Sequence, residues 1–221
     1  MSGGTVLLSL MTFVFPVYTL IPIHGAIQLV SNSSRCFFLR SDVIRPIFLY
    51  FLLGLPFGTF LAIKIIKSLE GPGLALLLIF LLITYTLFRP KKLPELKIPY
   101  WGFTFVGLGV GVLGPLVGAT GMFLAPFFLR DDFSKNQIIA TNSSVQILGH
   151  LIKIPTFIYL GFSYMDHALI ILLMSIATIM GTHYGVGLLR KMNERIFRKI
   201  FRAALAFAGL RILYMLIFSS Y

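Results

Sequence analysis

The chain has 221 residues, 57% of them hydrophobic and only 12% charged, with a mean hydropathy of +0.92. Soluble domains carry about 25% charged residues, so this composition excludes an ordinary soluble domain and indicates a polytopic membrane protein. The formal net charge of +12 reads as membrane topology rather than nucleic-acid binding, because the basic residues are spread over short loops with no aromatic-interleaved patch. The single cysteine, Cys36, excludes an internal disulfide and a thiolate metal site; no cofactor or metal is implied. No basic n-region precedes the apolar run after Met1, so no cleavable signal peptide is expected. The N-x-S matches at Asn32 and Asn142 lie in or beside apolar helices and are read as accidental.

Hydrophobic runs between charged or turn-rich breaks predict nine helical segments. The first, 3–14, is too short to cross a bilayer and ends before Pro16. The second, 17–34, carries a polar stripe of His24, Gln28, Asn32 and Arg35, whose i, i+4, i+8, i+11 spacing keeps them on one face. The third, 44–66, contains Gly54 and Gly58, and the Glu70-Gly71-Pro72-Gly73 turn separates it from 72–88. RPKKLPELK, from Arg89 to Lys97, is the one real linker and divides the chain into units 1–88 and 98–221, with 89–97 between them. Next come 99–117, with Gly107, Gly109, Gly111 and Gly114, and a short run, 119–129. RDDFSK (Arg130 to Lys135) precedes 136–159, which carries a second stripe of Asn142, Gln146, His150 and Lys153. After a break near Gly161 come 167–189, with Gly181, His183 and Gly185, and finally 196–218.

The two units look duplicated. PVYTLIPIHGAIQLVSNSSR, ending at Arg35, lies over SKNQIIATNSSVQILGHLIK, ending at Lys153, so Gln28 falls on Gln146 and Arg35 on Lys153. Upstream, Ser2-Gly3 falls on Thr120-Gly121, and Gly54 with Gly58 corresponds to Gly181 with Gly185. The expected fold is an all-α polytopic membrane protein of two inverted repeats, each a short re-entrant segment plus about three transmembrane helices. Charge demands the same plan. With Arg35, Arg40 and Arg45 in the cytoplasm, the groups at Arg89–Lys97, Arg130–Lys135 and Arg190–Arg202 follow, fifteen of the nineteen basic residues in all. Lys64 and Lys67 fall outside, while Lys153 and Arg211 stay within or at the ends of spans.

Each feature has a functional reading and a structural one. Polar groups are expensive in hydrocarbon, so the paired stripes suggest a transport pathway. Arg35 and Lys153, near helix ends, can equally snorkel to the interface, and Gln28, Asn32, Asn142 and Gln146 can serve as interhelical hydrogen-bond glue. His24 and His150 are candidate proton-responsive groups, since histidine titrates in the physiological range, or else hydrogen-bonded structural residues; His183 is a weaker candidate. Gly107 to Gly114 fits either broken backbone or close helix packing, whereas Gly118-Ala119-Thr120-Gly121 suits the tip of a re-entrant hairpin whose free N–H groups favour an anion. The G-x-x-x-G pairs read as packing faces, within the chain or for a homo-oligomer.

These motifs, in this order, resemble the sulfite exporter TauE/SafE family. SGGTVLLSLMTFVFPVYTLIPIHGAIQLVSNSSR is similar to the family's Gly-rich first motif and following helix, and GPLVGATGMFLAPFFLRDDFSKNQIIATNSSVQILGHLIK to its second copy. The resemblance covers nearly the whole chain and implies an inner-membrane, multi-pass transporter of inverted repeats that exports sulfite, a sulfonate or a related organic anion. Family members carry an apolar half-helix before the first motif, whereas this chain opens within it at Ser2-Gly3-Gly4. Either translation starts further upstream or this is a shortened relative. His24-Gly25 stands where a Thr or Ser pair is expected, so an anion-binding role carries over to Thr141 and Ser143 more safely than to His24.

All seven acidic residues lie in loops or at helix ends, and no paired carboxylates, metal-ligand cluster or nucleophile elbow appears, so no enzyme is expected. The expected substrate pathway comprises Gly3, Gly4, His24, Gln28, Gly118, Thr120, Gly121, Thr141, Asn142, Ser143 and Gln146, in a protein whose partners are the bilayer and a small anion. The rival reading is a non-transporting or truncated membrane subunit that pairs with a partner.

Overall fold

The computed structural model describes residues 3–69, 71, 73–88, 96–128, 130–191 and 194–218, without the side chains at 182–202, 204, 205 and 215. Among them every regular element is helical. In chain order these are α1 (Gly3–Met11), α2 (Val17–Phe38), α3 (Arg45–Ser68), α4 (Gly73–Phe88), α5 (Phe103–Val117), α6 (Gly121–Phe128), α7 (Lys135–Tyr159), α8 (Ala168–Lys191) and α9 (Glu194–Phe218), with single 3-10 turns at 40–42, 100–102 and 165–167. The predicted segments and their breaks match this order. Arg45–Ser68 and Tyr100–Val117 are long and apolar enough to cross a membrane. α2 and α7 are as long, but each interrupts its apolar surface with the polar stripe.

Local chemistry places the breaks. Pro16 caps α2 and ends the turn after α1, Pro46 sits in the first turn of α3, and Ser134 with Gln137 closes a reciprocal capping box on α7. Within the helices, Ser9, Thr59, Thr86 and Thr156 return their hydroxyls to the carbonyl four residues back, at 2.7–3.0 Å, which satisfies them where water is absent. At Gly118 the chain takes φ +84°, a conformation that L side chains resist, and α5 stops there.

The glycines of the central tract resolve into two roles. Gly54 and Gly58 of α3 meet Gly107 and Gly111 of α5 so closely that an added methyl would land on a backbone carbonyl: that of Thr104, Leu108, Phe51 or Leu55 respectively. Gly107 to Gly111 is therefore a helix-packing surface, and broken backbone begins only at Gly118. The second G-x-x-x-G differs from its expected counterpart. Gly181 has open space where its side chain would be, so among the described residues no neighbouring helix presses on it, and Gly185 lies outside the described side chains, as does His183.

Two apolar clusters flank the middle of the molecule. One joins α1, α2, α4, α8 and α9 through residues such as Leu8, Leu20, Ile23, Ile79 and Ile212; the other joins α3, α5, α6 and α7 through Phe51, Leu55, Phe103, Phe128 and Val145. α2 and α7 lie against each other along the boundary. Cross-links mark one end of the bundle: Ile44 N donates to Thr141 Oγ1 at 2.9 Å, Leu96 N to the Pro126 carbonyl at 2.9 Å, and Arg130 Nη1 to the Ile98 carbonyl at 2.9 Å. The predicted linker lies outside the described residues up to Leu96. Large apolar side chains such as Leu53, Phe57 and Phe60 on α3 and Leu169, Leu172 and Leu173 on α8 are exposed, as lipid-facing surfaces require.

Candidate functional site

The two polar stripes meet. His24 of α2 and His150 of α7 lie edge to face with ring centroids 6.1 Å apart, beside a polar cavity of about 230 Å³. α1 supplies Gly3, Gly4 and Thr5 to its wall, and α2 supplies His24, Gln28 and Arg35. The break before α6 adds Ala119, Thr120 and Gly121, and α7 adds Ile139, Asn142, Ser143, Gln146 and His150. The starts of α1 and α6 thus both open onto it, where the unbonded N–H groups of a first helical turn favour negative charge. Gly4 leaves room for Gln28, whose amide would touch a Cβ placed there.

Lys153 carries the most unusual environment. It is 1% exposed, and its stem runs between Gly25 of α2 and Gly114 of α5, where an added Cβ would come within 3.3 and 3.2 Å of its methylenes. Its Nζ donates to the Gly118 carbonyl at 2.6 Å, at the C-terminus of α5, where the helix dipole favours a cation. The same Nζ is 3.4 Å from His150 Nδ1. Lys153 therefore does not snorkel, because two glycines and a helix end hold it inside. Among the described residues no carboxylate pairs with it; the ion pairs Lys97–Asp131 and Arg130–Asp132 lie at the loop before α7. There the Arg130 guanidinium holds the Asp132 carboxyl below its usual range, and Lys97 does the same to Asp131.

The hydrogen-bond network assigns the histidine tautomers. His24 Nε2 lies 2.9 Å from the Gly4 carbonyl, which only accepts, so this nitrogen carries the proton; Nδ1 is buried with no hydrogen-bond partner. His150 Nδ1 accepts from Lys153, leaving its Nε2–H as the donor. Asn142 Oδ1, Asn32 Oδ1 and Thr5 Oγ1 are likewise buried without a partner. Such orphaned groups near a cavity mark places where a bound molecule or water completes the bonding.

Of the residues expected along the pathway, Gly3, Gly4, His24, Gln28, Thr120, Gly121, Asn142, Ser143 and Gln146 line this one cavity. Thr141 does not: it is fully buried and accepts from Ile44 N at the start of α3, a structural link. Gly118 shapes the cavity from behind, through its positive φ and its bond to Lys153. Arg35, read as either part of the stripe or an interfacial anchor, is half-buried, donates to Ser31 Oγ at 3.1 Å and reaches the cavity wall. Sequence reasoning missed Thr5 and Ile139. It left Lys153 open between a pathway residue and an interfacial anchor, although Gly25 and Gly114 on the neighbouring helices were the available signal for its burial.

The described residues form an all-helical chain with two apolar helices of spanning length, consistent with a membrane protein, and its polar cavity lies where α2 and α7 face each other. The family model of the sulfite exporter TauE/SafE family matches residues 1–212, and the chain belongs to this family of membrane transporters. Its members are transporters rather than enzymes. No curated protein and no solved structure matched the chain.

Proposed function

We propose that the protein exports a small anion, sulfite, a sulfonate or a related organic anion, across the cytoplasmic membrane by alternating access, using two inverted repeats that span 1–88 and 98–221. The observation that carries this reading is the charge of the cavity. Arg35 lines it, Lys153 lies behind His150, and no acidic side chain is among its lining residues. The opening helix turns of α1 and α6 and the amides of Gln28, Asn142 and Gln146 add donors around it. A volume of about 230 Å³ suits an anion of a few heavy atoms. The twofold use of a short helix followed by a long one, α1 before α2 and α6 before α7, supports the repeat plan.

The test is flux in proteoliposomes loaded with sulfite or a short sulfonate. The wild-type protein should give saturable efflux, and Asn142→Ala combined with Gln146→Ala should reduce it at least tenfold. Unchanged flux in the double variant would make the stripe structural and remove the cavity from the pathway.

A further inference from the structure

We infer that His24 Nδ1 is a proton site linked to the anion cavity, so that one proton is taken up with each anion that binds and the two cross together. This rests on the anion-transport reading and adds to it the identity of the coupled ion and the atom that carries it.

The geometry singles out that nitrogen. His24 lines the cavity and is fully buried, and its Nε2–H is already spent on the Gly4 carbonyl. In the neutral ring Nδ1 is a bare acceptor with no donor facing it, while the Gly118 carbonyl also faces this ring. A proton added at Nδ1 converts an unsatisfied acceptor into a donor on a ring that the Gly118 carbonyl faces. His150 has no equivalent vacancy: its Nδ1 accepts from Lys153 at 3.4 Å, so a proton there would set two donors head to head.

Charge then ties the proton to the anion. The elements packed on α2 are α1, α5, α7 and α8. α1 and α5 contain no charged or titratable residue, and α8 contains none from Ala168 to Gly181. α7 brings His150 and Lys153, with Lys135 at its first residue, and α2 itself brings Arg35. Among the described residues of these elements, the fixed charges around His24 are therefore all positive. A proton on His24 adds another positive charge beside Lys153 in a buried site, and it is held only when negative charge enters the cavity. Reciprocity follows, because whatever factor the anion adds to proton affinity the proton adds to anion affinity, typically between about 5-fold and 150-fold. A monovalent anion moving with its proton carries no net charge.

The experiment uses the purified full chain in detergent and methanesulfonate, a strong-acid anion that does not itself titrate near neutrality. Binding is measured from pH 8 to pH 5.5, and proton uptake is read with an indicator in weak buffer. The expected result is affinity at least about tenfold higher at the acid end, with close to one proton taken up per anion bound. His24→Gln, which keeps a donor for the Gly4 carbonyl, should bind with a flat pH profile and no uptake; His150→Gln should retain uptake. Binding by the wild type without proton uptake overturns the coupling alone, and this arm needs no variant to fold. Uptake that survives in His24→Gln, or that vanishes in His150→Gln alone, overturns the assignment to His24. Absence of binding by methanesulfonate, sulfite and sulfate alike would overturn the anion reading together with the coupling.

Discussion

Replacing Lys153 by methionine separates the electrostatic work of this residue from its packing. Met fills most of the channel between Gly25 and Gly114 while deleting the charge and the bond to the Gly118 carbonyl. For a charge held across the His150 ring from Nζ, taking a separation of about 8 Å and an effective dielectric of about 20 makes the lost attraction about 2 kcal/mol. That predicts anion binding weaker by about 30-fold. Stability should move the other way or not at all. The lost charge-assisted bond costs about 1.5–3 kcal/mol, but the variant no longer buries an ammonium without a carboxylate, and apolar replacements of buried charges are often neutral or stabilising. Titration calorimetry and thermal melts in detergent without anion read the two quantities separately. Binding within twofold of wild type would refute the electrostatic argument; a melting temperature lower by ten degrees or more would mean that Lys153 is mainly a structural tether.

Three further outcomes follow from the packing and the loop. Gly58→Ala should destabilise the fold by about 1–3 kcal/mol in detergent melts, because its methyl meets the Leu108 carbonyl, whereas Gly181→Ala, facing open space, should be neutral or slightly stabilising. Thr141→Val removes the acceptor for Ile44 N and should cost about 1–3 kcal/mol while leaving anion affinity unchanged; a loss of affinity at unchanged stability would return Thr141 to the site. The Arg130–Asp132 pair predicts acid sensitivity of the loop before α7. The folded carboxyl titrates below its ordinary value of 3.8, so its contribution is present above that value and is lost as pH falls through the lower folded one. Asp132→Asn should therefore lower stability slightly at pH 6, and its difference from wild type should fade as the pH falls below 3.8, measured by melting across that range.

Much of the fold was legible because hydrocarbon length, proline and glycine leave one-dimensional marks. Pro16, the Gly71 turn and Ser134 delimit helices through local backbone chemistry, and the segment order follows. The convergence of the two polar stripes was legible in outline, since polar residues recurred at helical spacing in apolar runs, and His24, Gln28, Asn142 and Gln146 line one cavity. What failed depended on neighbours remote in sequence. Thr141 shares a helix turn with Asn142 and Ser143 but faces the start of α3. Lys153 reads as an interfacial anchor until Gly25 and Gly114 are seen beside it. Gly107 and Gly111 were ambiguous because broken backbone and close packing both call for glycine, and only the partner glycines on α3 distinguish them.

The mutual approach of α3 and α5 also has a mechanical consequence. Where the nearest neighbours of glycine α-carbons are the carbonyls of the other helix, sliding by even a fraction of a turn drives backbone into backbone, so α3 and α5 behave as one stiff beam. Any rearrangement that exposes the cavity alternately to the two sides must then be taken up elsewhere. The seam between α2 and α7 is where such slip costs least, since it brings together buried polar atoms without partners on His24, Asn32 and Asn142 and the stem of Lys153 against Gly25, rather than interlocked main chains. In such a molecule the rigid element and the yielding one are set by the same choice of residue size: glycine against glycine where nothing moves, and long polar side chains where partners can be exchanged.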